Sequence, residues 1–299
     1  MISIDQKTAV LAEALPYMQK FAGKTFVIKY GGNAMLNDEL KKNVIQDIVL
    51  MKCIGINPIV VHGGGPEITG MLKQVGKQSH FVAGLRVTDA ETATIAEMVL
   101  AGKINTEIVS LINQYGGRAV GLNGKDSDLI VAKQTMATVY ENGQPKEVDI
   151  GFVGDVTKIN ADIIRILLSH NYIPVIAPTG VGLKGETYNI NADYVAGEIA
   201  AAVGAAKLVL LTDVEGIYRD YHDKSTFVST LPYSEAQEMV KKGSIDGGMI
   251  PKVEACIRAL ASGVEKTHII DGRQAHSLML EVFTATGIGT EVVKESGRG

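Results

Sequence analysis

The sequence predicts an α/β protein: a three-layer αβα sandwich around a mostly parallel central sheet, with two lobes and an appended N-terminal helix. Two observations carry that prediction. Short apolar runs alternate with amphipathic helical segments along most of the chain, the order that builds parallel sheets covered on both faces. The composition, 46% apolar and 21% charged over 299 residues, is that of a globular chain long enough to bury a full core.

Residues 1 to about 22 stand apart. Val10, Leu11, Ala14, Leu15, Met18 and Phe21 recur at helical spacing ahead of the first core strand, so this helix is added to the αβ unit. Its apolar face needs a partner, on the same subunit or on another. Strands follow at Phe26 to Ile28, Ile59 to His62, Ala119 to Leu122, Ile173 to Ala177, Leu208 to Leu211 and Thr267 to Ile270. A helical stripe of Leu40, Val44, Ile45, Ile48 and Val49 ends at Gly55. Thr88 with Glu91 reads as a capping box for a long helix through Ile108 and Leu111, and Ser234 with Gln237 reads as another. From Leu129 to Val156 the character changes: Ile130 and Val131, an Asn142–Gly143 turn, and Ile150 to Val153 read as short antiparallel strands that overhang a site. The predicted organisation is a helix over 1–22 and two lobes over 23–183 and 184–299.

Chemistry enters at the strand ends. Phe26, Val27, Ile28, Lys29, Tyr30, Gly31, Gly32 is a strand that ends in a lysine and opens into paired glycines. Glycine lets backbone N–H groups approach oxygens that a Cβ would hold away, and the ammonium adds a compact positive charge. The strand ending at His62 runs into Gly63, Gly64, Gly65 and Pro66, a favoured first residue of a helix. Gly247, Gly248, Met249, Ile250, Pro251, Lys252 supplies a third glycine pair and a second lysine. One such pair is more often a tight turn than an anion site. Three together, two with lysines, point to phosphoryl transfer.

Composition excludes other partners. A net charge of −4 and a pI near 5.9, with no basic block, argue against nucleic acid. Cys53 and Cys256 fall in helix-like apolar patterns and read as reduced core thiols, which suggests the cytoplasm. The N-terminus lacks the continuous apolar stretch of a signal peptide, and no membrane span is expected.

Taken in order, the segments Lys29 to Met35, His62 to Ile68, Asn189-Ile190-Asn191-Ala192-Asp193 and Gly248 to Lys252 resemble the acetylglutamate kinase family, which has the amino-acid kinase fold. The resemblance covers essentially the whole chain. It implies transfer of the γ-phosphoryl group of ATP to the side-chain carboxylate of N-acetyl-L-glutamate, giving N-acetyl-L-glutamyl 5-phosphate for arginine biosynthesis. The 23–183 lobe would bind acetylglutamate and form dimers; the 184–299 lobe would bind ATP. Lys29 and Lys252 fall on the transferring phosphoryl group, one from each lobe, and Gly31, Gly32 and Gly64 on its oxygens. Asp193, by itself an ordinary N-cap, becomes the carboxylate that holds both lysines. Arg86, within Gly84-Leu85-Arg86-Val87-Thr88, becomes a bidentate clamp on the substrate α-carboxylate, sharing its pocket with Gly64 and Gly65. Asn189 and Asn191, otherwise turn residues, become substrate contacts, Asn189 foremost. Thr212, Asp213, Gly216 and Tyr218 fall on ATP, in the crevice after a strong apolar strand. Mg²⁺ arrives with the nucleotide, so no protein metal ligand is expected. His62 reads as a structural strand-end residue and His222 as solvent-exposed.

Residues 1–22, His268 to Arg273, Glu281 and Gly287 to Thr290 resemble the arginine-sensitive branch of that family. This implies inhibition by L-arginine, with Tyr17, His268, Glu281 and Gly287 as its contacts. It also implies a homohexamer, a trimer of dimers interlaced by the N-terminal helices, and brings in a nitrogen-signalling PII protein as a candidate partner. Three rival readings compete: a carbamate, glutamate or aspartate kinase of the same fold, an arginine sensor without catalysis, and a dinucleotide-dependent oxidoreductase. The last fails on spacing, since Gly63-Gly64-Gly65 lacks the G-x-G-x-x-G pattern and leaves Lys252 unexplained. A sensor needs none of Lys29, Asp193 and Lys252.

Overall fold

The computed structural model describes residues 4–35, 37–141, 144–245, 247–284 and 286–295. Strands β1 (Thr25–Tyr30) and β2 (Asn57–His62) come first, and β3 (Phe81–Val82) pairs with β4 (Leu85–Arg86). Next come β5 (Ala119–Leu122), the long hairpin of β6 (Ile130–Glu141) and β7 (Gln144–Ile159), then β8 (Ile173–Ile176), β9 (Thr179–Val181) and β10 (Thr187–Asn189). The last third holds β11 (Lys207–Thr212), β12 (Ile217–Tyr218), β13 (Phe227–Val228), β14 (Thr230–Pro232), β15 (Lys266–Asp271) and β16 (Thr290–Val293). Eight strands form one sheet in the order β14-β16-β15-β11-β1-β2-β8-β5, parallel except where β16 runs against β15. The helices are α1 (Ile4–Phe21), α2 (Asp38–Cys53), α3 (Gly65–Gln74), α4 (Ala90–Glu97), α5 (Asn105–Gln114), α6 (Asp162–Ser169), α7 (Ala192–Val203), α8 (Tyr233–Lys241), α9 (Ile250–Ala261) and α10 (Ser277–Phe283).

Alternation along β1 sets the layers. Phe26, Ile28 and Tyr30 turn into a core with Val60, Val209 and Leu211, covered by residues of α2, α5 and α10. Val27 turns the other way, into a core with Ile59, Leu208 and Leu210 covered by α7 and α9. The result is the predicted sandwich. Lys29, two residues beyond Val27, shares that second face, so its ammonium emerges beside α7 and α9.

Several local expectations need correction. The antiparallel strands are long rather than short, and β6 and β7 close with β9 and β10 into a small four-stranded barrel. The Asn142–Gly143 turn lies outside the described residues. The first capping box is displaced by one residue: Asp89 caps α4 by accepting the N–H of Thr92 at 2.8 Å, while the Thr88 hydroxyl donates to the Arg86 carbonyl. Thr88 is held extended because its N–H and carbonyl both bind the β7 hairpin, at Ile150 and Phe152. The long helix that follows is interrupted by a π-helical segment, Met98–Ile104, between α4 and α5. The second box is absent, since the chain leaves β14 at Pro232 and is helical from Tyr233, which puts Ser234 inside α8. Cys256 is buried as expected, but Cys53 is exposed, because the buried stripe of α2 ends at Met51. Helix α1 packs on its own subunit through Ala14, Tyr17, Met18 and Phe21, with Leu15 51% exposed; the side chains of Val10 and Leu11 are not among those described.

His62 ends β2 fully buried, as a structural residue. Its Nδ1–H donates to the Gly63 carbonyl at 2.9 Å and its Nε2 accepts from the Asn105 amide at 3.2 Å, the pairing of a neutral ring. Burial lowers its pKa from 6.5 to about 4. An unfolded chain would protonate the ring first, so its stabilising effect is complete above pH 6.5 and is lost as pH falls through 4. His62→Gln should therefore reduce the acid destabilisation over that interval by about 3 kcal/mol, read from urea unfolding at a series of pH values. Identical pH slopes in the two proteins would contradict this.

Candidate active site

The C-terminal ends of β1 and β2 bring two glycine loops side by side, with the Gly63 N–H donating to the Tyr30 carbonyl at 2.8 Å. A Cβ on Gly31 would stand 2.7 Å from Lys29 Nζ, and one on Gly64 would collide with Ile104 and Leu100 of the π-helical segment. Both positions are therefore closed to larger residues.

Across these loops lies Asp193, 4% exposed, in the first turn of α7. The bland N-cap reading does not hold for it. Asn191 is the cap, accepting the Asp193 N–H at 2.8 Å, which leaves the Asp193 carboxylate to other partners. Lys29 Nζ stands 3.1 Å from Oδ1, as an ion pair without hydrogen-bond alignment. Lys252 Nζ, from the first turn of α9, donates to Oδ2 at 3.0 Å. Burial by itself raises the Asp193 pKa, but the two ammonium groups outweigh it, and the net shift is downward.

Two cavities meet at this cluster. The first, about 270 Å³, is lined by Lys29, Gly32, Gly64, Gly65, Arg86, Asn189, Asn191 and Asp193. The second, about 260 Å³, is lined by Thr212, Asp213, Gly216, Tyr218, Met249 and Lys252. Lys29 and Asp193 face the first and Lys252 the second, so the ionic cluster joins them. Of the residues expected at the phosphoryl, acceptor and nucleotide positions, only Gly31 lines neither cavity; it packs behind Lys29.

Arg86 is oriented by neighbours that the sequence did not signal. Its guanidinium donates to the Gly65 carbonyl and the Thr69 hydroxyl, both at 2.9 Å, and to the Ser79 hydroxyl at 2.6 Å. The Phe81 ring lies 4.8 Å away. Gly65 and Thr69 sit on α3 and Ser79 in the segment that follows it, seven to twenty-one residues before Arg86, without a motif to announce them. The β7 strand reaches over this cavity through Val153, as the expected overhang does. Gly151 makes the approach feasible, since at φ +75 a Cβ there would stand 2.2 Å from the Thr88 carbonyl.

A third cavity, about 520 Å³, lies against α1 and collects Tyr17, His268, Glu281 and Gly287. The His268 Nδ1–H donates to Glu281 Oε1 at 2.6 Å, and Lys207 Nζ donates to His268 Nε2 at 3.0 Å. Glu281 Oε2 accepts the N–H groups of Ile288 and Gly289. Burial pushes the Lys207 ammonium down to about 8 and lowers the His268 pKa as well. Lys207 escaped the sequence reading, although a lysine opening a wholly apolar strand was the available signal. His222 is exposed. Among the described residues, no group of three His, Cys, Asp or Glu is placed to hold a metal ion, and no helix is long and apolar enough to cross a membrane.

Residues 24–271 match the model of the amino acid kinase family. Over 295 residues the chain is 60% identical to an acetylglutamate kinase of Heliobacterium modesticaldum, covering 98% of this chain and 100% of that one. Among solved structures it is similar to the N-acetylglutamate synthase of Neisseria gonorrhoeae complexed with coenzyme A and N-acetyl-glutamate, with a TM-score of 0.82 at 27% identity. The same synthase complexed with coenzyme A and L-arginine gives a TM-score of 0.79 at 25% identity. Each alignment covers 97% of this chain, which spans 64% and 66% of those longer synthase chains.

Gly32 offers a test of the loop geometry. It sits at φ +70, and a Cβ there would stand 2.6 Å from Asp213 Oδ1. Gly32→Ala should cost about 1–2 kcal/mol in urea unfolding, whereas Gly65→Ala, whose Cβ meets nothing within 4 Å, should stay within about 0.5 kcal/mol of the unmodified protein. Equal stability of the two variants would contradict the loop geometry.

Proposed function

The chain belongs to the amino acid kinase family, and on that premise we propose that it is an ATP-dependent acetylglutamate kinase, phosphorylating the side-chain carboxylate of N-acetyl-L-glutamate. The observation that supports this most is the Asp193 carboxylate held between Lys29 and Lys252 where two cavities meet. N-acetyl-L-glutamate would occupy the first cavity, lined mostly by the 23–183 lobe, with Asn189, Asn191 and Asp193 contributed by the other. Its α-carboxylate meets Arg86, with Asn189 alongside; Asn191, engaged in capping α7, makes the lesser contact. The apolar wall of Ile68, Leu85, Leu100, Val153 and Ile190 suits the acetyl methyl group. ATP would occupy the second cavity, in the 184–299 lobe, against Thr212, Asp213, Gly216 and Tyr218.

The chemical difficulty is electrostatic, because an anionic carboxylate must approach an anionic phosphoryl group while charge builds on the equatorial oxygens. Lys29 and Lys252 offset that charge from two sides. Asp193 keeps them in place, and the N–H groups of Gly32 and Gly64, which line the first cavity, are offered to the oxygens. The acceptor carboxylate is ionised at neutral pH, so no general base is required. Isolated ammonium and N–H donors fit a polyphosphate bringing its own Mg²⁺, which when bound neutralises charge between the β- and γ-phosphates. The third cavity would take L-arginine: its lining mixes carboxylates (Glu265, Glu281, Glu291) with lysines (Lys20, Lys24, Lys207, Lys266), which suits a ligand carrying both charges, and a synthase of similar fold is known with L-arginine. Helix α1, with Leu15 exposed, would join dimers into a hexamer. Two free thiols suit the cytoplasm.

A coupled ADP-release assay with N-acetylglutamate, glutamate, aspartate and carbamate, each with and without arginine, tests the assignment. N-acetylglutamate should give the highest kcat/KM; faster turnover of another acceptor would overturn the reading. Lys29→Ala and Lys252→Ala should each lower kcat by about 10²- to 10³-fold, the loss typical of removing one transition-state donor, and near-normal turnover would remove that lysine from its role. Arg86→Lys should mainly raise the KM for acetylglutamate, because a point charge cannot reproduce a planar two-bond clamp; equal damage to the KM for ATP would place Arg86 elsewhere. Deleting residues 1–20 should convert hexamers to dimers in light scattering and weaken arginine inhibition while catalysis survives. An unchanged hexamer with unchanged inhibition would leave α1 as a cover over its own core.

A further inference from the structure

Beside the ionic cluster, two residues that line neither of its cavities tie α7 to α9. Tyr194 follows Asp193 on α7, and its hydroxyl donates to Glu254 Oε2 on α9, two residues past Lys252. Arg258, one turn further along α9, lies 4.9 Å from the Tyr194 ring centroid and pairs with Asp155 of β7 at 3.6 Å. The helices approach closely here, since a Cβ on Gly197 would stand 3.1 Å from the Ala255 carbonyl. Apart from the Asp193–Lys252 bond and the charge of Glu198 near Arg258, the two helices pack through apolar side chains such as Val195, Ala196, Ile199, Val253 and Ala259. Apolar burial has no direction, so it holds the two helices together without itself aligning a donor with an acceptor. A slide by one residue is about 1.5 Å, enough to break a close ammonium–carboxylate contact.

We propose that Tyr194 and Glu254 are positioning residues for phosphoryl transfer, their hydrogen bond fixing α7 along α9 and with it the 3.0 Å contact between Asp193 and Lys252. The inference rests on phosphoryl transfer being the reaction. Burial, then the Glu254 hydrogen bond, raises the Tyr194 pKa, so the hydroxyl keeps its proton and remains a donor. The Arg258–Asp155 pair extends the constraint to β7, the strand whose Val153 walls the acceptor cavity.

Tyr194→Phe removes the hydroxyl and keeps the ring. It should lower kcat by about 10- to 100-fold with both KM values within about twofold of the unmodified protein. Glu254→Leu should reproduce that loss, and Glu254→Gln, which keeps an acceptor oxygen, should recover most of it. A double-mutant cycle separates positioning from general damage: in a Lys252→Ala background, Tyr194→Phe should change kcat by less than about twofold, because no ammonium remains to be placed. Equal losses with and without Lys252, or a Tyr194→Phe kcat within about twofold of the unmodified protein, would overturn the proposal. ADP release is followed with whichever of the four acceptors the unmodified protein uses fastest. An acceptor other than N-acetylglutamate would then overturn the substrate reading alone and leave the cycle interpretable.

Discussion

Asp193 is buried between Lys29 and Lys252, and a carboxylate in that position can remain ionised only while both ammonium groups stay close. The cluster therefore constrains three elements at once. Lys29 reaches it because alternation along β1 turns that side chain toward α7 and α9. Lys252 reaches it from the first turn of α9, and Asp193 is available because Asn191 has taken over the cap of α7. Two cations against one anion leave one positive charge in excess at the junction of the cavities. A phosphoryl group passing between two anionic partners needs such a charge, already placed and shielded from water.

The surrounding backbone is shaped to the same end. Glycines at 31 and 64 let the β1 end approach Lys29 and the β2 end approach the π-helical segment without a Cβ in the way. The sheet also runs through to the third cavity: Lys207 opens β11 there, and Thr212 closes the same strand at the nucleotide cavity. β11 pairs with β1 from Phe26 to Lys29, so the strand that Lys207 opens is hydrogen-bonded to the strand that carries Lys29 into the site.

Much of this was legible in the sequence, for reasons that differ by element. The core strands are short buried runs with few alternatives, and the structure extends Phe26 to Ile28 only to Thr25–Tyr30. The lysine and glycine motifs were legible because backbone approach and local charge are properties of adjacent residues. Caps were less so: Thr88 has the residue type of a cap, but a strand more than sixty residues later holds it extended, and Asp89 takes the role. The α3 supports of Arg86, seventeen and twenty-one residues away, and the pairing of Lys207 with His268, sixty-one residues away, depend on how elements pack, which local pattern does not encode. Cys53 shows the converse, an apolar pattern continuing past the point where the core stops.

The central claim is that both lysines touch the group in transfer, with Asp193 holding them from behind. A crystal structure of the protein with ADP, Mg²⁺, N-acetylglutamate and aluminium fluoride tests it most directly, since the planar fluoride occupies the position of the phosphoryl group. Lys29 Nζ and Lys252 Nζ should each lie within about 3 Å of a fluoride, with Asp193 still bound to both. A fluoride contacted by only one of the two ammonium groups, or by neither, would contradict it.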